Sequence, residues 1–254
     1  GTIELIAASA ISMGSGSQIG TNNSNILLSA GGSVAVESIA AGTADVAITV
    51  GGDILDQDGT AAVDITSRSL ILKAGNAIGA NTNALETTVT TLSAHAGAGG
   101  AYISETDGLT VDALTVAVNR TGADGGAMLS PGGTATANQE DLSAVGNLVL
   151  VSASGDLNLK SGHIAGGVKG GSGNLLLQAS TGALNLQTAI DVVGGNVSLV
   201  AGTTLTQGVD GDISIAGTGS LDVRAATITM ADGATSVVAN GNLSYAATGA
   251  LSIG

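Results

Sequence analysis

The chain contains no cysteine, no phenylalanine and no tryptophan, one proline and two tyrosines in 254 residues. Without cysteine there are no disulfides and no thiolate metal sites, so the fold is held together non-covalently. Without large aromatics, a core has to be filled by Leu, Ile, Val and Ala in narrow, regular layers, which suits a solenoid better than an irregular globule. Basic side chains are scarce as well. Six Lys plus Arg stand against 20 Asp plus Glu, a formal charge of −14 that repels phosphate backbones and anionic lipid surfaces, so no nucleic acid partner is expected. No apolar run approaches the roughly 20 residues of a spanning helix, and no membrane insertion is expected of this segment. Gly1 is preceded by no Met and no charged-then-apolar leader, so the chain is expected to be an internal segment of a longer protein.

What the chain does contain is aliphatic residues and glycine: 44% of residues are hydrophobic and 41 are Gly. The stretch GNLLLQASTGALNLQ, residues 173–187, shows how they are arranged: two alternating leucine pairs, Leu175 and Leu177 then Leu184 and Leu186, flank a corner of small residues. Near copies run along the whole chain, beginning at Ile3, Ile26, Leu70, Leu148, Val197, Leu221 and Leu243, with weaker ones near Val46, Thr90 and Leu109. Alternation with period two makes each run a short half-buried strand. Gly is too dense, and Val and Thr too frequent, for long helices. Antiparallel sandwiches or barrels also produce short, evenly spaced strands, but a constant period with in-phase small corners favours one coil per repeat. The expectation is a single all-β domain over residues 1–254: a right-handed parallel β-helix of eleven to twelve coils, each of about 20–24 residues. The one long interval holds residues 119–141, including Pro131, and is read as an excursion loop.

The stretches GNLVLVSASGDLNL, GNLLLQASTGALNL and GDISIAGTGSLDV resemble the repeats of filamentous-haemagglutinin-like exoproteins, large adhesins exported by two-partner secretion or related routes. The resemblance implies a secreted or cell-surface stalk or filament acting in adhesion, aggregation or biofilm matrix. Its implied partners are other copies or segments of the same fibre and host, neighbouring-cell or matrix glycans.

The rival reading is a polysaccharide lyase or hydrolase, since such enzymes also use β-helices. The sequence offers it little, because the basic residues are scattered and there is no aromatic platform for sugar stacking. His95 and His163 sit beside Gly-rich corners without a catalytic motif. No catalytic, cofactor-binding or metal-binding residue is therefore assigned. Asp53, Asp56 and Asp58 in GGDILDQDG offer hard oxygen ligands that would suit calcium, but they lack the spacing of an EF-hand or of a calcium-binding nonapeptide array. They are read as solvated loop carboxylates, as are Asp210, Asp212, Glu140 and Asp141. GSGSQIG at residues 14–20 lacks the lysine and following helix of a phosphate loop and is read as a corner. Asn22, Asn119, Asn196 and Asn242, each in an Asn-x-Ser/Thr triplet, are given no role. The threonines of TTVTT (87–91) and TITM (227–230) do not recur outward coil after coil, as an ice-binding face would require.

Overall fold

A computed structural model describes residues 1–130, 136, 139, 141–160 and 167–254, so Pro131, Glu140 and His163 lie outside the described residues. The expected all-β parallel β-helix is the fold observed: the described residues form strands and turns without helix, stacked as a β-solenoid of about 10 turns. Among the described residues, twenty-eight strands make one continuous sheet with parallel pairing, while the hairpin of Val118–Thr121 with Ala127–Ser130 and the single bridges Ala80–Asn83 and Leu114–Gln139 are antiparallel. At about 4.8 Å per turn, the coil is a rod on the order of 50 Å long.

One corner runs through nearly every turn. It carries Gly75-Asn76 in the first half and Gly173-Asn174, Gly195-Asn196 and Gly241-Asn242 in the second, each just before a strand of the same face. Backbones approach so closely here that a Cβ on Gly75 would sit 2.2 Å from the carbonyl oxygen of Gly51, and one on Gly195 would sit 1.7 Å from that of Gly173. The asparagine that follows closes the corner with its side chain. Oδ1 of Asn147 accepts from the Asn174 amide (2.8 Å), Asn174 from Asn196 (3.0 Å) and Asn196 from Ser220 (3.0 Å), while the Ser220 hydroxyl accepts from Asn242 (3.0 Å). Backbone donors that a bend would strip from the ladder are thus satisfied by the turn below.

The strand after this corner stacks Ile11, Val34, Ile54, Ile78, Ala101, Leu148, Leu175, Val197, Leu221 and Leu243 in one column. All of these from Val34 to Leu221 are buried. The column corrects the sequence alignment. Leu148 lies over the equivalents of Ile11, not of Ile3, although both begin a copy of the same template. The column of Leu70 continues through Leu92 and Val111 to Leu159, Leu186 and Gln207. In the first turns Leu70 and Leu72 share one unbroken strand, Ile65–Ala74, whereas in later turns their equivalents are split between Leu157–Leu159 and Val168–Gly170. Conversely Gly100–Glu105 spans two sides of the turn before, pairing with both Ala77–Ile78 and Leu85–Thr87. One corner has therefore moved by a side of the coil. Leu109 and Leu148, which begin separate copies in the sequence, are two sides of one turn, and the expected eleven to twelve coils become about ten.

The excursion leaves at the relocated corner. It departs after Val111 and rejoins at Leu142, so it is longer than the expected 119–141 and its first part is not free loop. Val116 and Val118 are buried against Leu27, Ala47 and Ile71, with Leu114 at the edge, forming a second apolar cluster outside the coil. Leu27, Ala47 and Ile71 are the outward residues of successive rungs, stacked in register. Gln139 anchors the return, donating from Nε2 to the carbonyls of Leu72 (2.9 Å) and Ser93 (3.1 Å). Thr2 and Asn25 tie the segment to the first turns through the carbonyls of Asn119 and Ala117 (2.8 and 2.7 Å).

Two substitutions test these contacts. A Cβ on Gly194 meets nothing within 4 Å while one on its neighbour Gly195 meets the carbonyl of Gly173, so in urea denaturation Gly195→Ala costs about 2–4 kcal/mol and Gly194→Ala stays within about 0.5 kcal/mol. Val118→Asp buries a charge in the outer cluster and detaches the excursion; hydrogen exchange then rises at residues 114–121 and at Leu27 and Ile71 but not in the strands from Leu175 onward.

Candidate functional site

Among the described residues, the concentration of acidic groups that could hold a metal is the corner after Ile54–Asp56. Asp56 stands at an inward strand position, below Val36, and is buried. The chain turns there because Asp56 Oδ1 accepts from the amides of Asp58 (2.9 Å) and Gly59 (3.3 Å), and Gly59 adopts φ +65°, which favours glycine. It re-enters the ladder at Asp64, whose amide donates to the Glu86 carbonyl (3.0 Å) and whose Oδ2 accepts from the Glu86 amide (2.9 Å). The result brings together Asp56, Asp58 and Asp64, which offer one oxygen each within 4.8 Å of one another. Glu86, one turn on, faces the same group, adding to the repulsion felt by Asp64.

Burial dominates the electrostatics. Asp64 is 1% exposed, and desolvation, reinforced by the charges of Asp56, Glu86 and Asp58, pushes its carboxyl up to about 8. Glu86 is raised by desolvation and then by Asp56, while Asp58, held by the Thr60 amide and hydroxyl, is lowered. Asp56 Oδ2, Asp64 Oδ1 and Glu86 Oε2 are each shielded from solvent and have no hydrogen-bond partner. The two ion pairs among the described residues, Arg68 with Asp45 and Arg224 with Asp222, involve none of these carboxylates.

Of the three carboxylates expected from the sequence, the structure keeps Asp56 and Asp58 together and removes Asp53, which accepts from Asn76 Nδ2 (2.7 Å) and the Ala77 amide (3.0 Å) at the glycine corner. Asp56 is buried, which corrects its reading as a solvated carboxylate, while Asp58 is exposed as expected; Asp64 beside them is buried. The sequence reading did not include Asp64 or Glu86; their signal is an acid immediately before each of two residues that stack in register, Ile65 and Thr87. Asp212 caps the Thr235 amide and hydroxyl (both 2.7 Å), and Asp141 is fully buried with Oδ2 accepting from Gly167. Asn196 and Asn242, given no role above, are rungs of the asparagine ladder, and Asn119 exchanges hydrogen bonds with Thr2. His95 lies on a strand in register with Lys73 and Ser143. Thr204 and Thr206 stack on Thr227 and Thr229 for two rungs only, with Asn185 before Thr206 and Ser252 after Thr229.

Comparison of the chain with family models, curated proteins and solved structures returns no match. The reading of function therefore rests on the geometry.

Two further polar groups lie inside the coil and are satisfied there. Glu105, fully buried where one strand spans two sides, accepts from the Thr87 hydroxyl (2.6 Å) and the Val89 amide (3.1 Å). Gln207 occupies the column of Leu186; it donates to the Thr235 carbonyl (2.8 Å) and accepts from the Tyr245 hydroxyl (2.9 Å), which also meets Ser236 (2.7 Å). On the outside, a shallow trough runs past Asn147, Asn174 and Asn196 with Val149, Leu176 and Ser198, and its lining holds no carboxylate, histidine or cation.

Desolvation pushes Glu105 up from 4.5 to about 7, so the folded chain holds a proton that the unfolded chain releases. Its contribution to stability is full below about 4.5 and is lost as pH rises through about 7. Glu105→Gln flattens the fall of melting temperature across that window, measured by circular dichroism.

Proposed function

We propose that this β-solenoid is a structural stalk or filament module of a secreted or cell-surface bacterial adhesin, acting in adhesion, aggregation or biofilm matrix. One observation carries the reading: the column from Ile11 to Leu243 continues unbroken through the relocated corner and past the excursion. Work goes into keeping a rod continuous. Rungs linked by main-chain hydrogen bonds, a dry aliphatic interior and side-chain ladders at the corner resist bending and shear along the whole length. A formal charge of −14, with acidic residues on the outside of the chain, keeps such a rod dispersed.

A polysaccharide-cleaving site would gather acids with Arg or Lys in an open groove. The trough on the second half contains none of these, and the carboxylates near Asp64 are turned into a tight corner. The partners that suit the stalk reading are further segments of the same fibre and surface or matrix glycans. The excursion is the natural place for recognition, and with Val116 and Val118 committed to packing, its exposed stretch among the described residues is the hairpin end around Asn119–Gly126.

Electron microscopy of the native surface material should show stiff, thin fibres. Incubation of the purified chain with acidic and neutral polysaccharides should leave them intact. Depolymerisation abolished by a single Asp substitution would overturn the structural reading.

A further inference from the structure

We infer that Asp56, Asp58 and Asp64 of one turn and Glu86 of the next form a calcium site that clamps the two turns together. The acidic cluster alone would not carry this. What carries it is that Asp56 and Asp64 are 8% and 1% exposed, and that each points one oxygen, Oδ2 and Oδ1, at no protein donor. Glu86 is half-buried, and its Oε2 too is shielded and without a donor. A buried carboxylate oxygen without a donor is costly, and Asp56 and Asp64, which both bring one into a group whose oxygens lie within 4.8 Å of one another, call for a cation there, with Glu86 one turn on.

The donor set selects the ion. It is all oxygen, with no His or Cys, so hard cations are favoured over zinc or copper. Oxygens bound about 2.3–2.6 Å from a shared calcium lie up to about 5 Å apart, and the three aspartates already fall within 4.8 Å of one another. Magnesium retains most of its water and is usually held by one or two carboxylates, whereas calcium accepts six to eight oxygens in a flexible shell. Exposed Asp58 marks the open side through which the ion enters and keeps its remaining waters. Arg68, the basic residue nearest to Asp64 in sequence, is engaged elsewhere, its guanidinium donating to Asp45 at 3.0 and 2.7 Å.

The clamp has a structural purpose at this position. Later turns merge the sides that meet at this corner into one strand, as Gly100–Glu105 does, but in these turns the corner holds a buried acid where the template places an aliphatic residue. The proposal does not depend on the fibre reading and would stand for any function of the rod.

Isothermal titration calorimetry and thermal melting of the whole chain, in about 1 mM calcium, the same magnesium, or chelator, test it. The expected result is saturable calcium binding near one ion per chain and a melting temperature several degrees higher in calcium than in chelator, with a smaller shift in magnesium. Asp64→Asn and Glu86→Gln each weaken calcium binding at least about tenfold yet melt no lower than the parent in chelator, because each takes an acid out of a corner crowded with them. Asp212→Asn, at a distant corner, binds as the parent does. Coincident melting in calcium and chelator, or undiminished binding by Glu86→Gln, would overturn the site. Should Asp64→Asn not fold, the Glu86→Gln titration decides it.

Discussion

Parallel stacking at one strand spacing per turn is the constraint on which everything else in this molecule depends. Each residue sits directly above and below its equivalents, so whatever a position requires is required again in every turn. Inward positions must be dry and of similar size, and Leu, Ile and Val fill them: Leu175, Val197 and Leu221 occupy one column, Leu177, Leu199 and Val223 the next. Large aromatics would break the layers, and their absence is a consequence of that geometry. At the corner the same stacking brings carbonyl against Cα, and glycine is the residue that fits.

Regular stacking also explains how one corner can migrate without breaking the rod. Hydrogen bonding only asks that each rung find a partner at its own position along the coil. Where a rung bends is a separate matter. Between the turns of Leu92 and Leu159, the bend between two sides is smoothed into Gly100–Glu105 while a new bend opens between the equivalents of Leu70 and Leu72. The excursion occupies this new bend. It packs on a stripe of outward aliphatic residues that water would otherwise cover, and Gln139 bonds carbonyls on the adjacent strands. An insertion that could have been a floppy loop becomes a strap across the first turns.

Polar residues inside the rod follow a consistent pattern. Glu105 and Gln207 find donors and acceptors within the coil, so their burial costs little beyond desolvation. The corner of Asp56, Asp64 and Glu86 departs from that pattern, with three shielded carboxylate oxygens lacking donors; single atoms of Glu4, Ser17 and Glu37 do so elsewhere, on residues that are themselves only half-buried. The burial of Asp56 and Asp64, more than the number of acids, distinguishes it from the solvated carboxylates elsewhere on the surface.

The sequence by itself determined the class of fold. Alternating aliphatics, a constant period and small residues at the bends admit a parallel coil and little else, because period-two burial and glycine corners are local and leave a direct trace in the order of residues. The outward stripe was legible too, in the unbroken apolar runs Ile26-Leu27-Leu28, Val46-Ala47-Ile48 and Leu70-Ile71-Leu72, where a one-sided strand would alternate. What only the tertiary structure decided is phase. Two identical templates can occupy different sides of a coil, and nothing within a template says which column it joins; that is set by the hydrogen-bonded turn beneath it. The same holds for the acidic corner, since Asp56, Asp64 and Glu86 are separated by 8 and 22 residues and meet only because one turn of the coil returns the chain to the same place.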